Sequence, residues 1–215
     1  MTLPGSICDD ESYSGRLLQI SSVDDIPQLW RNTPIEKLIC SENFGQKIEE
    51  GTQPELLIAT CIEFRYALPI PRMFAYVIRR ASGRLVGSEF SLAYVLSAGV
   101  KHFVLIGHND CGMTKILKKQ DDLINALTEQ GWPQDRAEDF IHSQSERHMM
   151  KDEIDGLRRE YIRLRRLFKK VVIAPMFVDL ADTKLFIPAW YKELEQLSDD
   201  DLSQKVLDVD LISLQ

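Results

Sequence analysis

Three short, continuous runs of apolar residues constrain the fold more than any other feature of this chain. They lie at residues 55–60, 73–78 and 102–106. Continuous apolar runs of this length are typical of strands buried on both faces, as in a parallel sheet. Residues 87–99, between the second and third runs, have apolar residues at helical spacing and end at a glycine, which predicts a helix. Strand, helix and strand in this order imply a right-handed βαβ crossover.

The rest of the chain adds helices and a second pair of strands. Apolar spacing predicts one or two amphipathic helices in residues 26–50, one helix at 113–130 and a highly charged helix at 135–170. Residues 171–178 and 184–187 predict a strand pair around a turn, and Pro175 indicates an edge position or a bulge.

The two ends of the chain are less regular. The first 25 or so residues lack periodicity and predict a loose lead-in. A short helix is expected from Trp190, followed by an acidic stretch at 199–201 and an ambiguous segment at 206–214. The predicted fold class is therefore α/β, with a mostly parallel central sheet flanked by helices. Residues 1–50 are expected to form an N-terminal arm with helices, and residues 51–215 a single α/β domain.

Charge and cysteine content exclude several classes of function. The chain has 26 basic and 33 acidic residues, a net charge of −7. This acidity disfavours a protein whose main partner is nucleic acid or an anionic membrane surface. No apolar stretch approaches the ~20 residues that span a bilayer, and the acidic start MTLPGSICDDES does not predict a secretory signal. Four cysteines are too few for a disulfide scaffold. These features predict a soluble cytoplasmic protein.

Three metal-type side chains follow two of the predicted strands. Cys61 comes directly after the first run, and His108 and Cys111 come just after the third. Sites in open parallel sheets form beyond the carboxyl ends of the strands, so these side chains converge if the two strands are neighbours. Two thiolates and an imidazole suit zinc and leave one tetrahedral position free, as catalytic zinc sites do. The alternative is that packing and hydrogen bonds satisfy all three.

The residues around these candidates form a longer pattern. Cys61-Ile-Glu63-Phe-Arg65 is followed by Tyr76-Val-Ile-Arg-Arg-Ala-Ser-Gly83 and then by Gly107-His-Asn-Asp-Cys-Gly112. Here the chain resembles the β-class carbonic anhydrases. That family has a Cys-x-Asp-x-Arg motif, a segment like Phe-Val-x-Arg-Asn-Ala-Gly and a Gly-His-x-x-Cys-Gly motif, in this order. The resemblance covers residues 54–113 and extends weakly to the strand pair at 171–187.

The resemblance implies a function and a set of site residues. It makes Cys61, His108 and Cys111 the ligands of a Zn²⁺ ion, with Glu63 and Arg65 in the places of the family's catalytic aspartate and arginine. The implied activity is that of a lyase, the reversible hydration of CO2 to bicarbonate by a zinc-bound hydroxide. Because two thiolates cancel the charge of the metal, the activity is expected to favour alkaline pH. The family also implies a homodimer or a higher homo-oligomer.

This chain departs from the family at several of these positions. Glu63 replaces the aspartate, and it is one methylene longer, so it either accepts a hydrogen bond from zinc-bound water or occupies the open zinc position. Ile62 and Phe64 replace small polar residues. Arg80 and Ser82 replace Asn and Gly, and Arg80 either adds charge near the cleft or points to solvent.

Other interpretations stay open beside CO2 hydration. One is a sister hydrolase of a CO2-like molecule, carbonyl sulfide or carbon disulfide, and another is a non-catalytic relative closed by Glu63. An isolated Glu-x-Arg is more often a structural ion pair. The basic helix face within 157–170 is interpreted as solvated, although an acidic protein partner is an alternative. His102, His142 and His148 are candidate proton shuttles that the sequence does not separate.

Overall fold

A six-stranded sheet forms the centre of the computed structural model, which describes residues 3–197. The strands are β1 (Leu17–Gln19), β2 (Leu56–Thr60), β3 (Ala75–Arg79), β4 (His102–His108), β5 (Val172–Val178) and β6 (Leu185–Pro188). Their order across the sheet is β1-β6-β5-β4-β2-β3. The four strands from β5 to β3 are parallel, and β6 and β1 add an antiparallel edge. The structure confirms the predicted α/β class with a mostly parallel sheet.

Six α-helices connect and flank the strands in the described part of the chain. They are α1 (Pro34–Phe44), α2 (Glu89–Ser97), α3 (Gln120–Glu129), α4 (Gln134–His148), α5 (Glu153–Leu167) and α6 (Tyr191–Glu195). Helix α1 shows how local sequence sets their limits: Thr33 caps its first turn, Pro34 begins it, and Gly45 ends it with a φ of 68°. No helix among residues 3–197 is both long and apolar enough to cross a membrane.

The central strands are apolar on both faces because helices and loops cover the sheet on both sides. All five residues of β2 are buried, as are the middle residues of β4. Helix α5 packs against β4 and β5, and α1 contacts β4 and β6. Thr60 at the end of β2 lies opposite Ile106 of β4. The chain segments that leave these two strands therefore emerge side by side at one edge of the sheet.

Two of the helix predictions are wrong in detail. The predicted helix at 113–130 is a 3-10 helix over Gly112–Lys119 that continues into α3. The predicted single helix at 135–170 is two helices, α4 and α5, with a break at residues 149–152. The second helix starts because Asp152 accepts the backbone N–H of Asp155 as an N-cap.

The predicted loose lead-in is wrong for residues 17–19, which pair with β6 as the outer strand β1. Ile7 and Ile20, on either side, are also buried in the core. The division of the chain at residue 50 stays a prediction. The short helix expected from Trp190 is confirmed as α6, whereas the segments at 199–201 and 206–214 lie outside the described residues.

Pro175 lies on β5, an internal strand with β4 and β6 as its neighbours, so the predicted edge position is wrong. The N–H of Val172 points towards β4, and strand alternation turns the nitrogen of Pro175 the other way. On that side, β6 pairs with β5 only at Phe177 and Val178. A backbone N–H at position 175 would therefore have no partner strand, so proline at this position removes no hydrogen bond from the sheet.

Candidate metal centre

The three metal-type side chains predicted from the sequence meet at the carboxyl edge of the sheet. Cys61 directly follows β2, His108 ends β4, and Cys111 lies in the turn that leaves β4. Their candidate ligand atoms all lie within 4.8 Å of one another, and all three residues are buried. The parallel register of β2 and β4 produces this convergence, as the rule for sites in open sheets predicts.

The two sulfur atoms are spaced as a shared metal ion requires. Cys61 Sγ and Cys111 Sγ are 4.0 Å apart, and both cysteines are free thiols. Two thiolates at ~2.3 Å from a tetrahedral zinc ion stand about 3.8 Å apart. A disulfide would need about 2.05 Å. The observed spacing is therefore close to that of two thiolate ligands.

His108 presents an unpaired nitrogen in this cluster. Its Nδ1 lies 2.9 Å from the backbone oxygen of Asn109, so Nδ1 carries the proton and donates to this carbonyl. The other nitrogen, Nε2, is buried and has no hydrogen-bond partner among residues 3–197. A buried polar atom without a partner costs about 1–3 kcal/mol. A metal ion between Nε2 and the two sulfurs removes this cost, so the three residues fit one.

The cysteines and the imidazole influence each other's ionisation. A hydrogen bond with Cys111, helped by His108 and the backbone N–H of Ser82, lowers the pKa of the Cys61 thiol. The same interaction with Cys61, together with burial, raises the pKa of Cys111. Burial lowers the pKa of His108, but the Cys61 sulfur, the Asn109 carbonyl and the Glu63 carboxylate together raise it above its ordinary value. One thiolate thus forms readily, and the second is favoured by a cation.

Glu63 and Arg65 form a two-pronged ion pair beside the cluster. Arg65 donates from Nε to Glu63 Oε1 at 2.7 Å and from Nη2 to Oε2 at 2.7 Å, and its backbone N–H also reaches Oε1. The two side chains are only 8% and 11% exposed. The hydrogen bonds from Arg65 lower the pKa of Glu63, and the same pairing raises the pKa of Arg65. Glu63 is therefore ionised across the neutral range.

Asp110 is a further charged residue of the site that the sequence analysis did not single out. Its Oδ2 accepts from Arg65 Nη1 at 2.9 Å, and its other oxygen pairs with Lys115. The hydrogen bond from Arg65 lowers the pKa of Asp110. Its backbone has a φ of 50°, which is uncommon outside glycine. The sequence feature that could have indicated a role for Asp110 is its position between His108 and Cys111 in the His-x-x-Cys motif.

Arg79 holds the loop that carries Cys61 and Glu63. From the end of β3, its guanidinium donates to the backbone oxygens of Cys61, Glu63 and Tyr66 at 3.3, 3.2 and 2.9 Å. Carbonyl oxygens in a tight loop need such donors, because strand pairing no longer satisfies them. Arg79 stands in the stretch Tyr76–Gly83 that carried the family resemblance, although its contacts are not readable from the sequence.

The break between α4 and α5 forms another wall of the site. Met150 packs against Cys61 and Cys111. Glu153, at the start of α5, accepts the backbone N–H of Cys111 through Oε1 at 3.1 Å. A continuous helix over 135–170 would not bring these two side chains to the cluster. The sequence signal was Asp152, a good helix N-cap, within the charged segment.

The remaining candidates are spread over the molecule. His102 lies at the amino end of β4, away from the cluster, and His142 is exposed on α4, whereas His148 contacts the loop at residues 81–82. Arg80 donates to the side chain of Ser88 rather than extending into solvent. Of the other two cysteines, Cys8 is exposed and Cys40 is buried.

The fold is similar to those of solved β-class carbonic anhydrases. A β-carbonic anhydrase from Trichomonas vaginalis has a TM-score of 0.52 and 22% identity, over 76% of this chain and all of that one. A carbonic anhydrase from Glaciozyma antarctica has a TM-score of 0.51 and 18% identity, over 76% and 99%. A carbon disulfide hydrolase has a TM-score of 0.50 and 17% identity, over 76% and 92%. No family model matches the chain, and no curated protein matches its sequence. The chain thus has the fold of the β-class carbonic anhydrases.

Proposed function

We propose that this protein is a zinc-dependent lyase that catalyses the reversible hydration of CO2 to bicarbonate. The observation that carries the proposal is the buried, unpaired Nε2 of His108, which lies in one cluster with the sulfurs of Cys61 and Cys111. The fold supports it, since solved proteins of this fold include carbonic anhydrases.

Cys61, His108 and Cys111 would hold the zinc ion. Three protein ligands leave a fourth tetrahedral position for water, the arrangement of catalytic rather than structural zinc. When bound, zinc lowers the pKa of a water molecule towards ~7 and so makes a hydroxide nucleophile available near neutral pH. The carbonyl of Asn109 keeps the proton on Nδ1 of His108, so that Nε2 is free to bind the metal.

Glu63 is the residue we assign to orienting the water. Both of its oxygens already accept from Arg65, and Oε2 lies 4.0 Å from Nδ1 of His108. This pairing favours an open fourth position over closure by Glu63. Since arginine keeps its charge, Glu63 stays an acceptor throughout the neutral range, and it can take a hydrogen bond from the attacking water. Asp110 holds the far side of the Arg65 guanidinium and so fixes the pair in place.

A homodimer is the assembly we propose, formed along the β3 side of the molecule. Strand β3 ends the sheet, and no strand of residues 3–197 pairs with its outer side. Val77 on β3 and Phe90 and Tyr94 on α2 are 43%, 88% and 64% exposed. An apolar surface next to an unpaired strand is typical of a protein interface. We place the protein in the cytoplasm, which is consistent with its four free thiols.

Carbon disulfide or carbonyl sulfide is the second candidate substrate. The likeness to a carbon disulfide hydrolase is as close in fold as the likeness to the carbonic anhydrases. Both molecules are linear like CO2 and would meet the same nucleophile. The difference between these substrates lies in pocket shape and access rather than in the zinc ligands.

Stopped-flow CO2 hydration by zinc-loaded protein at about pH 8.5 tests the proposal, because this pH is above the pKa that a zinc-bound water would have. We expect a rate well above the buffer background that is lost on zinc removal and in Cys61→Ser. Cys8→Ser, which changes an exposed thiol far from the cluster in sequence, is the matched control and should keep the rate. A zinc-loaded protein that hydrolyses carbon disulfide but does not hydrate CO2 would transfer the assignment to the second candidate.

A further inference from the structure

The loop at residues 80–83 lies directly against the proposed zinc ligand Cys61. The backbone N–H of Arg80 donates to the carbonyl oxygen of Thr60, the residue before Cys61, at 3.0 Å. A Cβ added to Gly83 would lie 3.4 Å from the backbone nitrogen of Cys61. Both Ser82 and Gly83 have positive φ angles, 61° and 68°, so the chain turns sharply here. This loop is therefore packed against the backbone of Cys61, and its residues are half-buried.

His148, the last residue of α4, contacts this loop. Its Nδ1 lies 3.1 Å from the backbone oxygen of Ala81 and 3.3 Å from the hydroxyl oxygen of Ser82. A carbonyl oxygen only accepts, so Nδ1 carries the proton and Nε2 holds the free lone pair. Two residues further on, Met150 packs against Cys61 and Cys111. The imidazole is thus fixed on the loop that packs against Cys61, with one basic nitrogen available.

The surroundings of His148 keep its imidazole neutral. Burial, together with the positive charges of Arg80, Arg84 and Arg147, lowers its pKa, against the hydrogen bond to Ala81. Arg80 and Arg84 flank the loop, and Arg147 precedes His148 on its own helix. An imidazolium formed among these cations is disfavoured, so it gives up a proton quickly. A neutral, half-buried imidazole near a site is suited to brief proton uptake and release.

We propose that His148 is the proton-transfer group of this enzyme, an inference that rests on the proposed CO2 hydration. Hydration of CO2 by water yields bicarbonate and one proton, and that proton must leave for each turnover. An O–H bond of water breaks, an N–H bond forms at Nε2 of His148, and a buffer base then takes the proton and restores the neutral ring. His102 and His142 lack this position, since one lies at the amino end of β4 and the other is exposed on α4.

The test compares His148→Asn with wild type in zinc-loaded protein. Asparagine keeps a donor for the Ala81 carbonyl but has no titratable base, and His142→Asn is the matched control on the same helix. In dilute buffer we expect kcat to fall at least about 10-fold in His148→Asn while kcat/KM stays within about 2-fold. Added imidazole should restore kcat. His142→Asn should behave as wild type.

Several results would overturn the inference. An unchanged kcat in dilute buffer removes the role, and a joint fall of kcat and kcat/KM without rescue by imidazole shows a purely structural residue. If the wild-type protein does not hydrate CO2, the proposed function fails and this inference fails with it. If the wild type is active and His148→Asn is equally active, only this inference fails. Nitrogen-15 NMR of the histidine rings gives a readout besides activity. We expect the Nδ1-protonated form of His148, and the Nε2-protonated form would contradict the geometry.

Discussion

Replacing Glu42 by glutamine should make the protein more stable at neutral and alkaline pH. Glu42 is a buried residue of α1, and its Oε1 accepts the hydroxyl of Tyr66 at 2.7 Å. Burial raises the pKa of this carboxyl to about 7, against smaller opposing effects of Tyr66 and Lys184. Tyr66 ends the loop that carries Cys61 and Glu63, and its carbonyl accepts from Arg79. The pair therefore links a titrating buried acid to the site loop.

The size of this gain in stability follows from the difference between the pKa of Glu42 in the folded state and its pKa in the unfolded state. The folded protein holds the Glu42 proton up to about pH 7, whereas the unfolded chain releases it near the ordinary value of 4.5. Between these values the folded state binds more protons, so stability falls as the pH rises. Glu42 therefore lowers the free energy of unfolding by about 3 kcal/mol at most. This loss is absent below the unfolded-state pKa of 4.5 and complete above the folded-state pKa of about 7.

Urea unfolding of wild type and Glu42→Gln from about pH 4.5 to 8.5 measures this loss. Glutamine still accepts from Tyr66 but does not ionise, so the variant should gain about 3 kcal/mol relative to wild type across this range. Glu49→Gln removes an exposed carboxyl, so its stability relative to wild type should not change with pH. A difference between wild type and Glu42→Gln that does not change with pH would refute the buried-acid argument.

Three further substitutions test the centre and its surroundings. Cys61→Ser should lower bound zinc from about one ion per chain to almost none by elemental analysis, because a ligand is lost; retained zinc would rule out the ligand assignment. Glu63→Gln should lower kcat/KM about 100-fold with zinc content unchanged, because the amide is a weaker acceptor and repels Arg65; an unchanged rate would remove Glu63 from the mechanism. Gly83→Ala should cost about 1–2 kcal/mol of stability in urea, because φ is 68° there. Gly5→Ala, in open space, is its control and should cost almost nothing, and equal effects would argue against strain at Gly83.

The convergence of the three candidate ligands was predictable because strands buried on both faces have continuous apolar sequences. Strands β2 and β4 are covered on both faces, so they read as continuous apolar runs, and Cys61 and His108 follow from where those runs end. The family resemblance covered the same segment. Residues 54–113 carry both the apolar runs and the resemblance, and they contain none of the helix residues that pack over the centre.

The parts that were missed depend on contacts between distant segments. Strand β1 has only three residues and forms by pairing with β6, which is distant in sequence. No local sequence pattern therefore predicts it. The break at residues 149–152 interrupts a segment whose helical spacing continues on both sides. Met150 and Glu153 therefore reach the centre only once the chain has folded. The sequence likewise does not show which way Glu63 points. In the structure it faces Arg65, with which it forms two hydrogen bonds of 2.7 Å.

X-ray absorption at the zinc edge of the zinc-loaded protein identifies the atoms that bind the metal in the proposed centre. We expect one zinc ion per chain with two sulfur neighbours at about 2.3 Å and two nitrogen or oxygen neighbours at about 2.0 Å. One of these lighter atoms is His108 Nε2 and the other is water, so the spectrum should be unchanged in Glu63→Gln. A shell of three or four sulfurs, no stoichiometric zinc, or the loss of an oxygen neighbour in Glu63→Gln would contradict a three-residue centre with an open fourth position.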